Sequence, residues 1–163
     1  MSVFFKIVSI IKGTTVDGPG FRTSIYIAGC RHHCEGCHNP QTWDENNGTD
    51  YSLGELLSII REEDFDVTLT GGDPLYNPEK TRILINAIKN ENKNVWVYTG
   101  FTWEEIIADK LLSECIRNAD VVVDGKFINS LRSIDIPFRG SSNQRLIDVR
   151  KSLDSRETIE YQR

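Results

Sequence analysis

The stretch Thr23-Ser-Ile-Tyr-Ile-Ala-Gly-Cys30-Arg-His-His-Cys34-Glu-Gly-Cys37 decides how this chain is read. Its first half, Thr23 to Ala28, alternates and is rich in β-branched residues, so it reads as a strand that ends at Gly29 and Cys30. Its second half places three cysteines at a Cys-x3-Cys-x2-Cys spacing directly behind that strand. Three thiolates from one loop can wrap one corner of a compact inorganic cluster. Iron-sulfur clusters are normally held by four cysteine thiolates, so a four-iron cube on this loop would keep one iron without a local ligand. Such an iron is a Lewis acid able to chelate an amino group and a carboxylate together. The same residues allow a second chemistry, a zinc site completed by His32, His33 or His38, because three cysteines and a histidine are an ordinary structural set. Zinc motifs tend to draw their ligands as two separated pairs, and adjacent histidines between the cysteines would strain such a site.

Beyond the cysteines, Arg31 to Thr49 is polar and rich in turn formers. Ser52-Leu-Gly-Glu55 is a capping box opening a helix whose apolar face carries Leu53, Leu56, Leu57 and Ile60. Val67 to Thr70 reads as a second strand, stopped by Gly71-Gly72-Asp73-Pro74. A second helix starts with Asn77 as cap and Pro78 at its first position, with Ile83, Leu84, Ala87 and Ile88 facing inward. Val95 to Thr99 is the third strand, and Thr102 to Glu105 a second capping box that opens one helix through Ile106, Ile107, Leu111 and Leu112. Val121 to Val123 is the fourth strand, and Leu146 to Val149 offers one more short one. Alternating strands and helices with short connections predict an α/β fold with a parallel sheet, right-handed crossovers and outer helices.

Composition narrows the function classes. The chain has 163 residues, enough to bury a core without staples. Its formal charge of −5 argues against nucleic acid as a partner. The apolar run from Val3 to Ile11 is interrupted by Lys6 and Ser9 and is too short to cross a bilayer. No cleavable signal follows it, so a cytoplasmic protein with reduced thiols and no membrane partner is expected. The segment from Asp154 to Arg163 is polar and reads as a loose end.

Parallel α/β sheets bind ligands beyond the carboxyl ends of their strands. Four features fall on that edge: Cys30 after the first strand, Gly71 and Gly72 after the second, Thr99 and Gly100 after the third, and Asp124-Gly125-Lys126 after the fourth. Each alone is an ordinary strand-end turn. Together they line one mouth.

Cys30, Cys34 and Cys37, with Gly71-Gly72-Asp73-Pro74, resemble the signature of the radical S-adenosylmethionine enzymes. Asp17-Gly-Pro-Gly-Phe-Arg22, Cys37-His-Asn-Pro-Gln-Thr-Trp43, Val123-Asp-Gly-Lys-Phe127 and Arg139-Gly-Ser-Ser-Asn-Gln-Arg145 resemble, more narrowly, the activators of glycyl radical enzymes. The resemblance runs from about residue 13 to residue 150. It implies an open partial (β/α) barrel of parallel strands with outer helices, in a single domain over residues 1–153 followed by a polar tail over 154–163.

The resemblance implies a [4Fe-4S] cluster and S-adenosyl-L-methionine as cofactors. Cys30, Cys34 and Cys37 would ligate iron. Gly36, Cys37 and His38 would lie along the adenine and ribose, and Gly71, Gly72 and Asp73 would meet the methionyl amino group. Thr99 belongs to the same cofactor site, Lys126 would meet the methionyl carboxylate, and Asp124 a ribose hydroxyl. No protein acid or base is required, so no catalytic side chain is expected beyond these. The implied partners are an anaerobic ribonucleoside-triphosphate reductase, on which a glycyl radical would be made, and a low-potential electron donor such as reduced flavodoxin. Cys-His-Asn is also familiar from activators of pyruvate formate-lyase, which keeps that partner open beside a radical enzyme of small molecules, a plain iron-sulfur electron carrier and a zinc-stapled interaction module. The histidines read as solvated loop residues, and Arg22 and Arg139 as surface cover. Cys115, set among Leu111, Leu112 and Ile116, reads as a packed thiol rather than a fourth ligand. Cys115→Ala should therefore leave the iron content of the reconstituted chain unchanged; loss of iron in that variant would return the four-thiolate carrier.

Overall fold

A computed structural model of the chain describes residues 3–162; Met1, Ser2 and Arg163, which the expected domain bounds include, lie outside the described residues. Seven strands form one sheet: β1 (Phe4–Thr14), β2 (Arg22–Ile27), β3 (Thr49–Ser52), β4 (Asp66–Gly71), β5 (Val95–Tyr98), β6 (Val121–Asp124) and β7 (Arg145–Asp148). Their spatial order is β3-β1-β2-β4-β5-β6-β7. The four central strands, β2, β4, β5 and β6, run parallel, as the alternating pattern predicts. The flanks differ from the expected all-parallel barrel wall. β1 pairs antiparallel with both β2 and β3, and β7 antiparallel with β6. The sheet is thus mixed, with a parallel centre, and its ends are not joined into a closed barrel.

Among the described residues there are five α-helices, α1 (Leu53–Glu63), α2 (Pro78–Asn90), α3 (Trp103–Ala108), α4 (Lys110–Ile116) and α5 (Val149–Ser155). Both capping boxes form, at Ser52 with Glu55 and at Thr102 with Glu105. The main core joins Leu56 and Ile60 of α1, Leu84 and Ile88 of α2, and Ile106 of α3 to Ile25, Leu69 and Val97 on one face of the sheet. Ile85 takes the inward place expected for Ile83, which is 37% exposed. The opposite face is partly aromatic. There Trp96 packs edge-on against Phe138 and Tyr161, each at 5.3 Å between ring centroids.

The helix expected to run from Thr102 through Leu112 is two. Asp109 sits in extended conformation between α3 and α4, and its carboxylate caps the second by accepting from the Leu112 N–H at 3.1 Å. A short acidic side chain competes for backbone donors in this way and so favours a helix start over a helix middle. The Val3 to Ile11 run, judged only for its membrane reach, forms β1 and buries Phe5 and Ile7. Near the end of the chain, the Tyr161 N–H donates to Leu146 O at 2.7 Å and the Asp148 N–H to Ile159 O at 2.8 Å. The segment read as loose therefore runs along β7, because an edge strand offers unpaired backbone groups.

Arg22 is the largest departure from the surface reading, being 1% exposed. Its guanidinium donates to Thr68 Oγ1 at 2.8 Å, Val67 O at 2.9 Å, Asn94 Oδ1 at 2.9 Å and Pro19 O at 3.2 Å. Burial lowers its pKa from the ordinary value, partly opposed by Asp66. The side chain pins the turn before β2 to the amino ends of β4 and β5. Arg22→Met keeps the bulk but orphans these acceptors, and should cost roughly 3 kcal/mol of folding stability, read as a lowered urea midpoint at unchanged slope.

Candidate metal centre and ligand cavity

The cysteine loop leaves β2 at Gly29, whose φ of +109° favours glycine and whose N–H donates to Thr42 O at 2.7 Å. The Cys30 N–H follows with a bond to Trp43 O at 3.1 Å. The loop is thereby laid against the segment just beyond it. A turn closes at its far end, where the Cys37 N–H donates to Cys34 O at 3.1 Å. All three cysteines are free and half-buried. The Cys37 sulfur accepts from the Asn39 N–H at 3.4 Å, and backbone N–H groups nearby favour the thiolates of Cys30 (from His32 and His33) and of Cys34 (from Phe127). Donors of this kind favour the thiolate form that binds metal. Burial acts the other way and is the larger effect, pushing the Cys30 and Cys34 thiols above their ordinary range.

Among the described residues, no group of three or more His, Cys, Asp or Glu is placed to hold a single metal ion. The histidines are committed elsewhere. His32 is nearly buried, with Nε2 2.6 Å from Asp73 Oδ2. His33 stacks on Trp43 at 4.4 Å, and His38 leans on Phe127 at 5.1 Å. Three thiols with backbone donors, set around one cavity, fit the corner of a cluster better than they fit zinc with a histidine. The indole nitrogen of Trp43 is buried without a partner beside the same cavity.

Asp73 draws the site together. Its buried carboxylate accepts from Leu75 N at 2.8 Å, Thr99 Oγ1 at 2.9 Å, Gly100 N at 3.0 Å and, through the shorter contact above, His32. The acceptor-only carboxylate requires Nε2 to carry the proton. Gly72 is packed so tightly that a Cβ there would stand 2.7 Å from Thr42 O. Only glycine lets the β4 loop and the cysteine loop approach this closely.

A cavity of about 650 Å³ opens at the carboxyl ends of the central strands, a size suited to a nucleotide-like ligand. It brings together Cys30, Cys34, Cys37, His38, Gly71, Gly72 and Thr99. Gly36, Asp73, Asp124 and Lys126 do not line it. Gly36 turns the loop at φ +75° against Asn129. The Asp124 carboxylate accepts from Trp103 N at 2.7 Å and from the Arg145 guanidinium, anchoring α3 and β7 to the edge of β6. Lys126 is exposed, and its charge favours the Cys34 thiolate.

Several cavity residues were not singled out in the sequence. Tyr26 and Tyr98 point to the face opposite Ile25 and Val97, a placement that strand alternation alone could have given. Tyr26 donates to Asp17 Oδ2 at 3.4 Å, and burial with that neighbour pushes its phenol up to about 12. Tyr98 donates to Phe138 O at 2.6 Å, and burial raises it further above the phenol range. His32 carried no readable signal, because its partner lies 41 positions away.

The structure is that of an α/β protein that gathers three free thiols around one cavity at the carboxyl edge of its central strands. The profile of the 4Fe-4S single cluster domain matches residues 16–147. The chain is 40% identical to the anaerobic ribonucleoside-triphosphate reductase-activating protein of Enterobacteria phage T4, over 80% of this chain and 86% of that protein. The proteins of the same description from Escherichia coli K12 and Pasteurella multocida are each 34% identical, over 79% of this chain and 89% and 88% of theirs. The chain belongs to the family of anaerobic ribonucleoside-triphosphate reductase-activating proteins.

The thiol shifts give a test on the cluster-free chain. Iodoacetamide labelling of Cys30 and Cys34 should still rise about tenfold per pH unit between pH 8 and 9, as expected for thiols titrating above that window. Cys115, buried and pushed up to about 12, should stay unlabelled until the chain unfolds.

Proposed function

We propose that this chain is a radical S-adenosylmethionine enzyme that activates an anaerobic ribonucleoside-triphosphate reductase by creating a glycyl radical on it. The observation that carries this reading is the meeting of Cys30, Cys34 and Cys37 with Gly71, Gly72 and Thr99 around one cavity. Cys30, Cys34 and Cys37 would hold a [4Fe-4S] cluster there, and with S-adenosyl-L-methionine beside it the cluster would supply the one-electron reductive chemistry needed to take a hydrogen atom from a glycine of the reductase.

The chain's own residues bind, orient and exclude. Cys30, Cys34 and Cys37 hold the cluster, with backbone N–H groups nearby that favour their thiolates. Gly71 and Gly72 present bare backbone to the methionyl amino group. Asp73, its carboxylate already taken by four donors, acts by fixing His32 of the cysteine loop and the Thr99-Gly100 turn rather than by touching the ligand. His38 and Cys37 run along the nucleoside, with Gly36 turning the loop behind them. Lys126 serves the methionyl carboxylate from the rim. Asp124 contributes by fixing the end of β6, since its carboxylate is held by Arg145 and the α3 terminus. Tyr26 and Tyr98, kept neutral by their raised pKa, wall the cavity without adding charge. The electron would come from a low-potential donor such as reduced flavodoxin, in a reducing cytoplasmic compartment where thiols persist.

The anaerobically reconstituted chain, once reduced, should release 5′-deoxyadenosine and methionine from S-adenosyl-L-methionine. With the reductase it should give the persistent doublet of a glycyl radical in electron paramagnetic resonance. Cys34→Ala should reduce both signals to background. Zinc in place of iron would sink the reading. Cofactor cleavage without a radical on the reductase would redirect it to another glycyl radical enzyme or a small-molecule substrate.

A further inference from the structure

The sequence reads Arg139 as surface cover, whereas the structure sets it, half-buried, in the wall of the cavity. Among the residues that line the cavity it is the one lysine or arginine. Its backbone is fixed from both sides. Before it, Phe138 takes a left-handed conformation at φ +64°, its carbonyl accepts from the Tyr98 hydroxyl at 2.6 Å, and its ring packs edge-on against Trp96. After it, the Gly140 N–H donates to Gln144 Oε1 at 2.9 Å and Gly140 O accepts from the Ser133 N–H at 3.1 Å. The guanidinium itself is held only loosely. Nε donates to Pro137 O at 3.4 Å and Nη1 to Gln144 O at 3.5 Å, which leaves both donors of Nη2 without an acceptor. Arg139 takes part in none of the ion pairs among the described residues. The carboxylate of Asp17, in the same wall, is engaged by the hydroxyls of Ser24 at 2.9 Å and Tyr26 at 3.4 Å.

A guanidinium keeps its charge at any ordinary pH, and its planar fork matches the two oxygens of a carboxylate. S-adenosyl-L-methionine carries two positive groups, the sulfonium and the ammonium, and a single negative one, the methionyl carboxylate. One arginine in the wall and one anion on the ligand can meet in only one orientation of that ligand. Lys126, the expected partner of the carboxylate, is exposed and does not line the cavity. We propose that Arg139 is a binding residue for the carboxylate of the ligand in this cavity and that it, more than Lys126, selects an amino-acid sulfonium over the same nucleoside without the carboxylate. The inference rests on the reading of the cavity as the site of S-adenosyl-L-methionine. It turns the loop before β7 from a cover into part of the recognition surface.

The test is equilibrium binding by anaerobic titration calorimetry on the reconstituted chain with its cluster left oxidised, so that no ligand is cleaved. Two probes are compared, S-adenosyl-L-methionine and its decarboxylated analogue, which keeps the sulfonium, the amine and the nucleoside. Arg139→Gln should load iron in the wild-type amount, weaken S-adenosyl-L-methionine at least about tenfold and leave the analogue unchanged. Lys126→Gln should weaken S-adenosyl-L-methionine by less, since an exposed charge is screened by water. Arg139→Lys, which keeps the charge and gives up the fork, should fall between the wild type and Arg139→Gln; it carries the comparison of the two probes if the Gln variant does not load iron. Equal weakening of both probes, an unmoved affinity for S-adenosyl-L-methionine, or a larger loss in Lys126→Gln would each overturn the inference and leave the cofactor reading standing. An iron-loaded wild-type chain that binds neither probe would overturn the reading beneath it.

Discussion

A carboxylate taken out of water must be ringed by donors, because an unpaired buried charge costs several kcal/mol. Asp73 meets that demand with four, drawn from the cysteine loop, the start of its own helical turn, and the loop after β5. Its burial therefore fixes the relation between three loops that are far apart in the chain. Any one of them displaced would leave the charge short of a donor. The placing of Cys30, Gly72 and Thr99 around one cavity depends on this requirement more than on the rigidity of any single loop.

The same logic, applied to backbone groups, shapes the rest of the rim. Loops at the ends of parallel strands lose the sheet ladder and must find other partners for their N–H and C=O groups. At the cysteine loop the partners are the carbonyls of Thr42 and Trp43. At the loop after β6 they are the side chains of Ser141, Asn143 and Gln144. N–H groups that turn toward sulfur are satisfied by a weaker acceptor, which strengthens when that acceptor becomes a thiolate. Such donors offset part of the cost that burial places on the Cys30 and Cys34 thiolates.

Much of the central sheet was legible because it rests on local rules. The four parallel strands show short apolar or alternating runs, the capping boxes at Ser52 and Thr102 are written in four residues each, and Gly-Gly after β4 marks a turn. β1 was missed because its residues were weighed only against a membrane. The break at Asp109 was missed because a run of apolar residues on both sides masks a single capping residue. Arg22 was misplaced because a charged side chain is buried only when its partners can be seen, and Val67, Thr68 and Asn94 lie 45 to 72 positions away.

The sequence by itself determined the chemistry: which residues can be thiolate ligands, how they are spaced, and which strand ends carry glycine, since these are properties of neighbouring residues. Only the tertiary structure decided what each polar group does with its hydrogen bonds. Asp73 and Asp124, both readable as ligand contacts, turn out to hold the frame. His32, readable as solvated, is one of the groups holding it. The reason is that burial and pairing are set by residues remote in sequence, so a carboxylate's role depends on which donors folding brings to it.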